Sequence, residues 1–186
     1  MNNTESNNSE INEAGTDDGG SVRHRALARL GGLVGNWTEH VHIPGVLAGQ
    51  MSFEWVLDAQ FLLQRSTIPG TEFPDSIGII AVAEDGDAGD AGRFVQHYFD
   101  ARGVSRHYAM ALDERTWTLL RDQPDGTPLH FLQRFTGTFA DNGTTISAVW
   151  ERSDDGRRWR TDFALTYTRI LPTPAIAQAH DRSDIP

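Results

Sequence analysis

The chain contains no cysteine and no lysine among its 186 residues. Without cysteine it can form no disulfide, no thiolate nucleophile and no cysteine-based zinc or iron–sulfur site. Without lysine it has no Schiff-base chemistry and no lysine for a phosphate-binding loop, because all 16 basic residues are arginine. These two absences exclude several large enzyme classes before any motif is considered.

Positive charge is scarce relative to negative charge, with a formal net charge of −10 and a pI near 5.0. This balance argues against a nucleic-acid partner or an anionic membrane surface. No stretch approaches the ~20 consecutive apolar residues that a membrane-spanning helix needs. The first residues also lack the basic and apolar regions of a signal peptide. We therefore expect a cytoplasmic protein.

The polar residues are concentrated at the two ends of the chain. Residues 1–20 are mostly Asn, Ser, Glu, Asp and Gly, a composition typical of a disordered tail. Residues 21–171 have the pattern of one domain, and residues 172–186 are expected to form a flexible tail. Ser21 is a candidate N-cap, and the apolar spacing after it predicts a short helix from Val22 to about Leu33.

From Asn36 onward the apolar residues alternate with polar ones, as in β-strands. Short polar turns rich in Asn, Asp and Gly separate the strand-like runs, and the acidic, Gly-rich segment Glu84–Ala91 is interpreted as a solvated hairpin loop. The pattern predicts ten strands, at about Asn36–Ile43, Met51–Leu57, Phe61–Ile68, Ile77–Ala83, Gly92–Asp100, Val104–Leu112, Arg115–Arg121, Leu129–Phe139, Thr144–Arg152 and Arg158–Ile170. A meander of this length closes into a barrel to remove its edges. The predicted fold class is therefore an all-β, ten-stranded antiparallel up-and-down barrel.

A Gly-x-Trp (Gly35, Trp37) begins the first predicted strand, and Arg169 lies late in the last one. This combination resembles the signature of the calycin superfamily, which comprises the lipocalins, the fatty-acid-binding proteins and nitrobindin-like barrels. The resemblance implies that the indole closes one end of the barrel and that the guanidinium stacks across it. The connection Pro44–Gly49 is too short for the helical lid of a fatty-acid-binding protein, so the chain looks closest to uncharacterised bacterial members of the nitrobindin-like branch.

Nitrobindin-like proteins hold haem through a histidine close to the last strand. Here that strand has no histidine; Tyr167 could in principle ligate iron, and His180 lies in the tail and would reach the barrel only if that tail folded back. We therefore disfavour haem and expect no cofactor. His40 and His42 have the i, i+2 spacing of two zinc ligands, but they fall on the face expected to be outside and no third ligand is identifiable. We expect no metal site.

The alternation also predicts which side chains point into the barrel. Six strands give a definite answer and the ninth gives a preference; the inward set includes Trp37, Glu39, Val41, Ile43, Phe53, Trp55, Leu57, Arg106, Tyr108, Met110, Leu112, Trp117, Leu119, Leu129, Phe131, Gln133, Phe135, Ile146, Ala148, Trp150, Trp159, Thr161, Phe163, Leu165, Tyr167 and Arg169. Two strands leave the choice open. The third buries either Phe61, Leu63 and Arg65 or Leu62, Gln64 and Ser66, and the fifth buries either Val95, His97 and Phe99 or Phe94, Gln96 and Tyr98.

Such an interior is mostly aromatic and aliphatic with a few polar groups, which suits a pocket for a small, largely apolar molecule. We expect a carrier or sequestering protein, without nucleic-acid or membrane partners and with homodimerisation left open. The candidate ligand-binding residues are Glu39, Trp55, Arg65, Arg106, Gln133, Trp150 and Tyr167.

An alternative is a cofactor-free isomerase or cyclase in a biosynthetic pathway. Such an enzyme can act largely by holding a reactive conformer. His97 and Tyr108 are its candidate acid–base pair, provided that His97 points inward. The third hypothesis is a barrel with a fully packed core that serves as an interaction module.

Overall fold

The computed structural model describes residues 25–70, 73–83, 92–140 and 142–172. Within these ranges no helix is long and apolar enough to cross a bilayer. Four features predicted from the sequence lie outside the described residues, namely the tail formed by residues 1–20, the helix N-cap at Ser21, the loop Glu84–Ala91 and the C-terminal segment with His180.

Ten antiparallel strands form one closed barrel, so the predicted fold class is confirmed. Each strand pairs with its neighbours in the chain, and β1 closes the barrel by pairing with β10. The strands are β1 (Gly35–Val41), β2 (Gly49–Val56), β3 (Phe61–Thr67), β4 (Ser76–Val82), β5 (Gly92–Asp100), β6 (Ser105–Leu112), β7 (Thr116–Arg121), β8 (Leu132–Phe139), β9 (Thr145–Ser153) and β10 (Arg160–Arg169).

A short helix over residues 25–30 precedes β1. Its apolar side chains recur at helical spacing, so Ala26, Leu27 and Leu30 all fall on the face that is buried in the core. Arg29 on its other side shares a cleft with the β6–β7 and β8–β9 turns. The helix therefore lies over the barrel end that carries these turns, called here the closed end.

Arg169 ties the closed end together. Its guanidinium lies over the Trp37 ring at 4.1 Å, the stack that the resemblance implies, and the two residues are cross-strand partners. The same guanidinium donates hydrogen bonds to the carbonyls of Gly32 and Val34, the latter at 2.6 Å. Gly35 has a φ of +119° and passes close to this guanidinium, which explains why the position is a glycine.

The predicted alternation of inward and outward side chains holds along the strands but is wrong at one end of β1, of β2 and of β10. Ile43 and Leu57 lie beyond the ends of β1 and β2 and are exposed. In β10 a bulge places Thr161 opposite Glu151 but Phe163 opposite Trp150. The extra residue inverts the faces before it. Thr161 and Trp159 are therefore turned outward, and Trp159 packs on the guanidinium of Arg134.

The structure also resolves the two strands that the sequence left open. In β3 the inward side chains are Leu62, Gln64 and Ser66. In β5 they are Phe94, Gln96 and Tyr98. Arg65 and His97 consequently lie on the outer surface of the barrel.

Candidate functional site

A cavity of about 290 Å³ lies inside the barrel, away from the helix. Its mouth is formed by the β3–β4 connection with Phe73 and Pro74, by Arg102 after β5, and by Phe131 before β8. Phe163 of β10 meets Phe73 edge to face, with ring centroids 5.3 Å apart. The cavity is therefore open at the end of the barrel opposite the helix.

Aromatic rings make up a continuous wall of the cavity. Trp117 packs on Phe135 at a centroid distance of 4.6 Å, Phe135 packs on Trp150 at 5.1 Å, and Trp150 packs on Tyr108 at 5.6 Å. Tyr167 extends the cluster from Trp117. These tilted and edge-to-face arrangements are favourable for aromatic pairs, so the wall is a fixed apolar surface.

Glu39 is a buried carboxyl group in the cavity wall. The Ser66 hydroxyl donates a hydrogen bond to its Oε2 atom at 2.6 Å, and the Tyr167 hydroxyl bonds to it from the neighbouring strand. Burial raises the pKa of Glu39, although both hydrogen bonds act in the opposite direction. Among the described residues no cation forms an ion pair with this carboxyl group.

A glycine explains how Glu39 on β1 reaches Ser66 on β3. Gly49 of the intervening strand is the cross-strand partner of Glu39 and points the same way. A Cβ atom at Gly49 would meet Ile68 Cγ1 and the Thr67 carbonyl at 2.6 Å, so no larger residue fits there. The side chain of Glu39 therefore crosses a strand that presents no side chain of its own at this point.

The same arrangement recurs two strands away. Gln96 of β5 donates to the Gln64 side chain of β3 at 2.6 Å, across Gly78 of β4. Gln64 in turn donates to the sulfur of Met51 at 3.2 Å. The single oxygen of the Gln96 amide is buried without a hydrogen-bond partner among the described residues. This side of the cavity is therefore polar but uncharged.

Arg106 brings a positive charge to the cavity wall. Its Nη1 atom and the Tyr108 hydroxyl both donate to the Gln133 side-chain oxygen at 2.8 Å. The guanidinium also lies 5.5 Å from the centre of the Phe131 ring. Within the described part of the chain it has no carboxylate partner, and its Nε atom is buried without a hydrogen bond. Burial raises the pKa of Tyr108, so its hydroxyl stays protonated.

A buried ion pair holds the segment that leads to Phe131. Arg121 at the end of β7 donates two hydrogen bonds to Asp125, at 2.6 and 3.0 Å, and both side chains are only 1% exposed. It also donates to carbonyl oxygens of the segment, including that of Phe131. The ion pair lowers the pKa of Asp125 below its usual range.

Six of the predicted site residues share the cavity wall and three predicted site residues do not. The six are Glu39, Arg106, Tyr108, Gln133, Trp150 and Tyr167. Predictions for Trp55 and Arg65 as cavity residues are wrong. Trp55 lies near the closed end of β2 and packs against the core there. Arg65 is exposed and pairs with Glu54 on the outer surface at 3.4 Å.

His97 is the third residue outside the cavity. It lies on the outer face of β5, opposite His107 of β6, with the two rings 4.5 Å apart. Burial and the neighbouring His107 lower its pKa. The prediction that His97 shares the cavity with Tyr108 is wrong, because β5 buries Phe94, Gln96 and Tyr98 instead.

The cavity wall does not suit haem bound through histidine. His40 and His42 are exposed with their rings 5.3 Å apart, and His42 contacts the Thr166 hydroxyl. None of the described histidines lines the cavity, and the Tyr167 hydroxyl is occupied by Glu39. The described residues also contain no group of three side chains placed to hold a metal ion.

Several wall residues were not singled out from the sequence. Arg102 and Phe73 reach the mouth from connections, where alternation gives no signal. Asp162 reaches it because the bulge in β10 turns this residue toward the mouth.

Comparison with known proteins adds no family to these observations: no protein-family model matches the chain, and no curated protein shows significant similarity to it.

Proposed function

We propose that this protein binds a small, largely apolar molecule in its barrel cavity and serves as a carrier or sequestering protein. The observation that carries the proposal is the cavity of about 290 Å³ with nine aromatic residues in its lining. Small-molecule pockets are typically concave, mostly apolar and fitted with a few polar groups. A packed core would have filled this space with side chains.

The polar groups of the wall suggest a molecule that is apolar in its middle and polar at two points. One is the Glu39–Ser66–Tyr167 cluster, which exchanges hydrogen bonds. The other is Arg106, whose charge has no carboxylate partner among the described residues. A ligand with an electron-rich or anionic group near Arg106 would supply the missing partner.

We infer further that the chain is a calycin-like barrel. The stack of Arg169 on Trp37 and the closure of β1 on β10 support this inference. A cytoplasmic location and homodimerisation stay predictions from the sequence.

A fluorescent binding assay tests the proposal. N-phenyl-1-naphthylamine is a neutral aromatic probe whose emission rises in an apolar site. We expect the wild-type protein to bind the probe saturably, with one probe per chain. Trp150→Arg should abolish this binding, because it would fill the cavity with a charged side chain. Binding that neither saturates nor responds to this replacement would contradict the proposal. Native mass spectrometry of protein isolated from its own host would identify the natural ligand by its added mass.

The predicted acid–base pair of an isomerase or cyclase is not available in the cavity, because His97 lies outside it. Catalysis in this cavity would have to use a group from its own wall.

A further inference from the structure

We propose that the cavity also catalyses a proton transfer on its bound molecule, with Glu39 as the group that takes and returns the proton. The inference rests on the proposed function, because the molecule must first bind in the cavity. The expected substrate class is a β,γ-unsaturated carbonyl compound with an apolar body, whose acidic C–H bond lies between the carbonyl group and the carbon–carbon double bond.

The position of Glu39 is the first argument. It is the one buried carboxyl group among the described residues that line the cavity, since Asp162 at the mouth is exposed. Its partners are two hydroxyl groups, from Ser66 and Tyr167, rather than a cation. Hydroxyl groups can donate to the carboxylate or accept from the carboxylic acid, so both protonation states keep their hydrogen bonds.

Among the described residues, no other charged group packs directly against Glu39 to fix its protonation state. The neighbouring inward residues on β2 are Gly49 and Met51, and on β10 they are Leu165 and Tyr167. The charged groups that share the cavity are Arg102, Arg106 and Asp162, at or toward the mouth. Burial raises the pKa of Glu39 above its usual range. Acid–base catalysis is most efficient when the pKa of the group lies near the working pH.

The reaction that this arrangement supports needs no cofactor. The Glu39 carboxylate takes a proton from the carbon beside the carbonyl group, and the C–H electron pair forms a carbon–carbon double bond. The carbonyl oxygen then carries negative charge, for which Arg106 provides a cation in the same cavity. The Glu39 carboxylic acid returns the proton to the γ carbon, the far end of the original carbon–carbon double bond, so the carbonyl group forms again and the new double bond stays between the α and β carbons. The double bond has moved, and nothing has been oxidised or reduced.

Kemp elimination of 5-nitrobenzisoxazole tests the base directly. In this probe a base removes the C–H proton, the N–O bond breaks, and a nitrile and a coloured phenolate form. We expect the wild-type protein to accelerate the elimination with saturation in probe, and the rate to rise with pH through the pKa of Glu39. A positioned general base contributes about 10²–10⁴-fold, so Glu39→Gln should lower the rate at least about a hundredfold. The matched control is Glu54→Gln, because Glu54 lies on the outer face and is exposed.

Two further measurements keep the outcome clear. Ser66→Ala removes a hydrogen bond that favours the carboxylate, so the midpoint of the pH–rate profile should move to higher pH while catalysis persists. Naphthylamine binding by Glu39→Gln shows that the variant is folded. Equal elimination rates in wild type and Glu39→Gln, with the neutral probe still bound by both, would overturn the catalytic proposal alone. Failure of the wild-type protein to bind the neutral probe would overturn the proposed function itself.

Discussion

Replacing Arg169 with Met should destabilise the barrel strongly, because one side chain makes several contacts at the closed end. The stack on Trp37 is buried on the indole side and is worth about 1–2 kcal/mol. The hydrogen bond to the half-buried Val34 carbonyl comes from a charged donor, and losing it costs about 1.5–3 kcal/mol. The Gly32 carbonyl lies where water can replace the guanidinium. We therefore expect the free energy of unfolding to fall by about 3–4 kcal/mol.

Urea unfolding followed by far-UV circular dichroism measures this loss as a shift of the midpoint. Arg160→Met is the matched control, because Arg160 is on the same strand but its ion pair with Asp154 is 60% exposed on both sides. Such pairs contribute about 0–1 kcal/mol. A loss below about 1 kcal/mol for Arg169→Met, or equal losses for the two variants, would refute the view that Arg169 ties the closed end together.

Three other predictions follow from the cavity and its supports. Asp125→Asn should cost about 3–5 kcal/mol in urea unfolding, because it leaves Arg121 buried without its carboxylate. The pKa of Asp125 is lower in the folded protein than in the unfolded chain. In the wild type its contribution to the free energy of unfolding should therefore be full above pH ~4 and lost as the pH falls toward the folded-state pKa. Asp125→Asn should remove this pH dependence of stability. Gly49→Ala should cost about 1–3 kcal/mol, because its Cβ would overlap the Thr67 carbonyl. Arg106→Gln should weaken binding of 8-anilinonaphthalene-1-sulfonate about tenfold but leave the neutral naphthylamine nearly unaffected in parallel titrations; equal effects on both probes would contradict a charge role.

The strands were predictable because alternation and turn residues are local signals. All ten strand positions agree with the structure to within three residues, and the inward parity of β6 and β7 is correct through Tyr108, Met110 and Trp117. In β3 and β5 both faces carry apolar residues mixed with polar ones, so the local pattern could not decide which face is buried. Which face is buried there depends on pairing with β2, β4 and β6, that is, on contacts distant in sequence.

The site was only partly predictable for the same reason. Glu39 and Tyr167 were identified because each lies on a strand with one clearly apolar face. Their bond to Ser66 depends on Gly49, whose role appears only when three strands are seen side by side. The outward position of Trp159 depends on a bulge that the residue types of β10 do not predict.

The closed end also has a kinetic consequence. With the helix and Arg169 covering one end, a molecule held in the cavity would exchange through the mouth, where Phe73 and Phe163 meet edge to face. Phe73 belongs to a connection rather than a strand, so it lacks the ladder hydrogen bonds that hold Phe163. Residence time in this barrel would then depend on how often the Phe73 ring moves away from Phe163, and two ligands of equal affinity could differ widely in how long they stay bound.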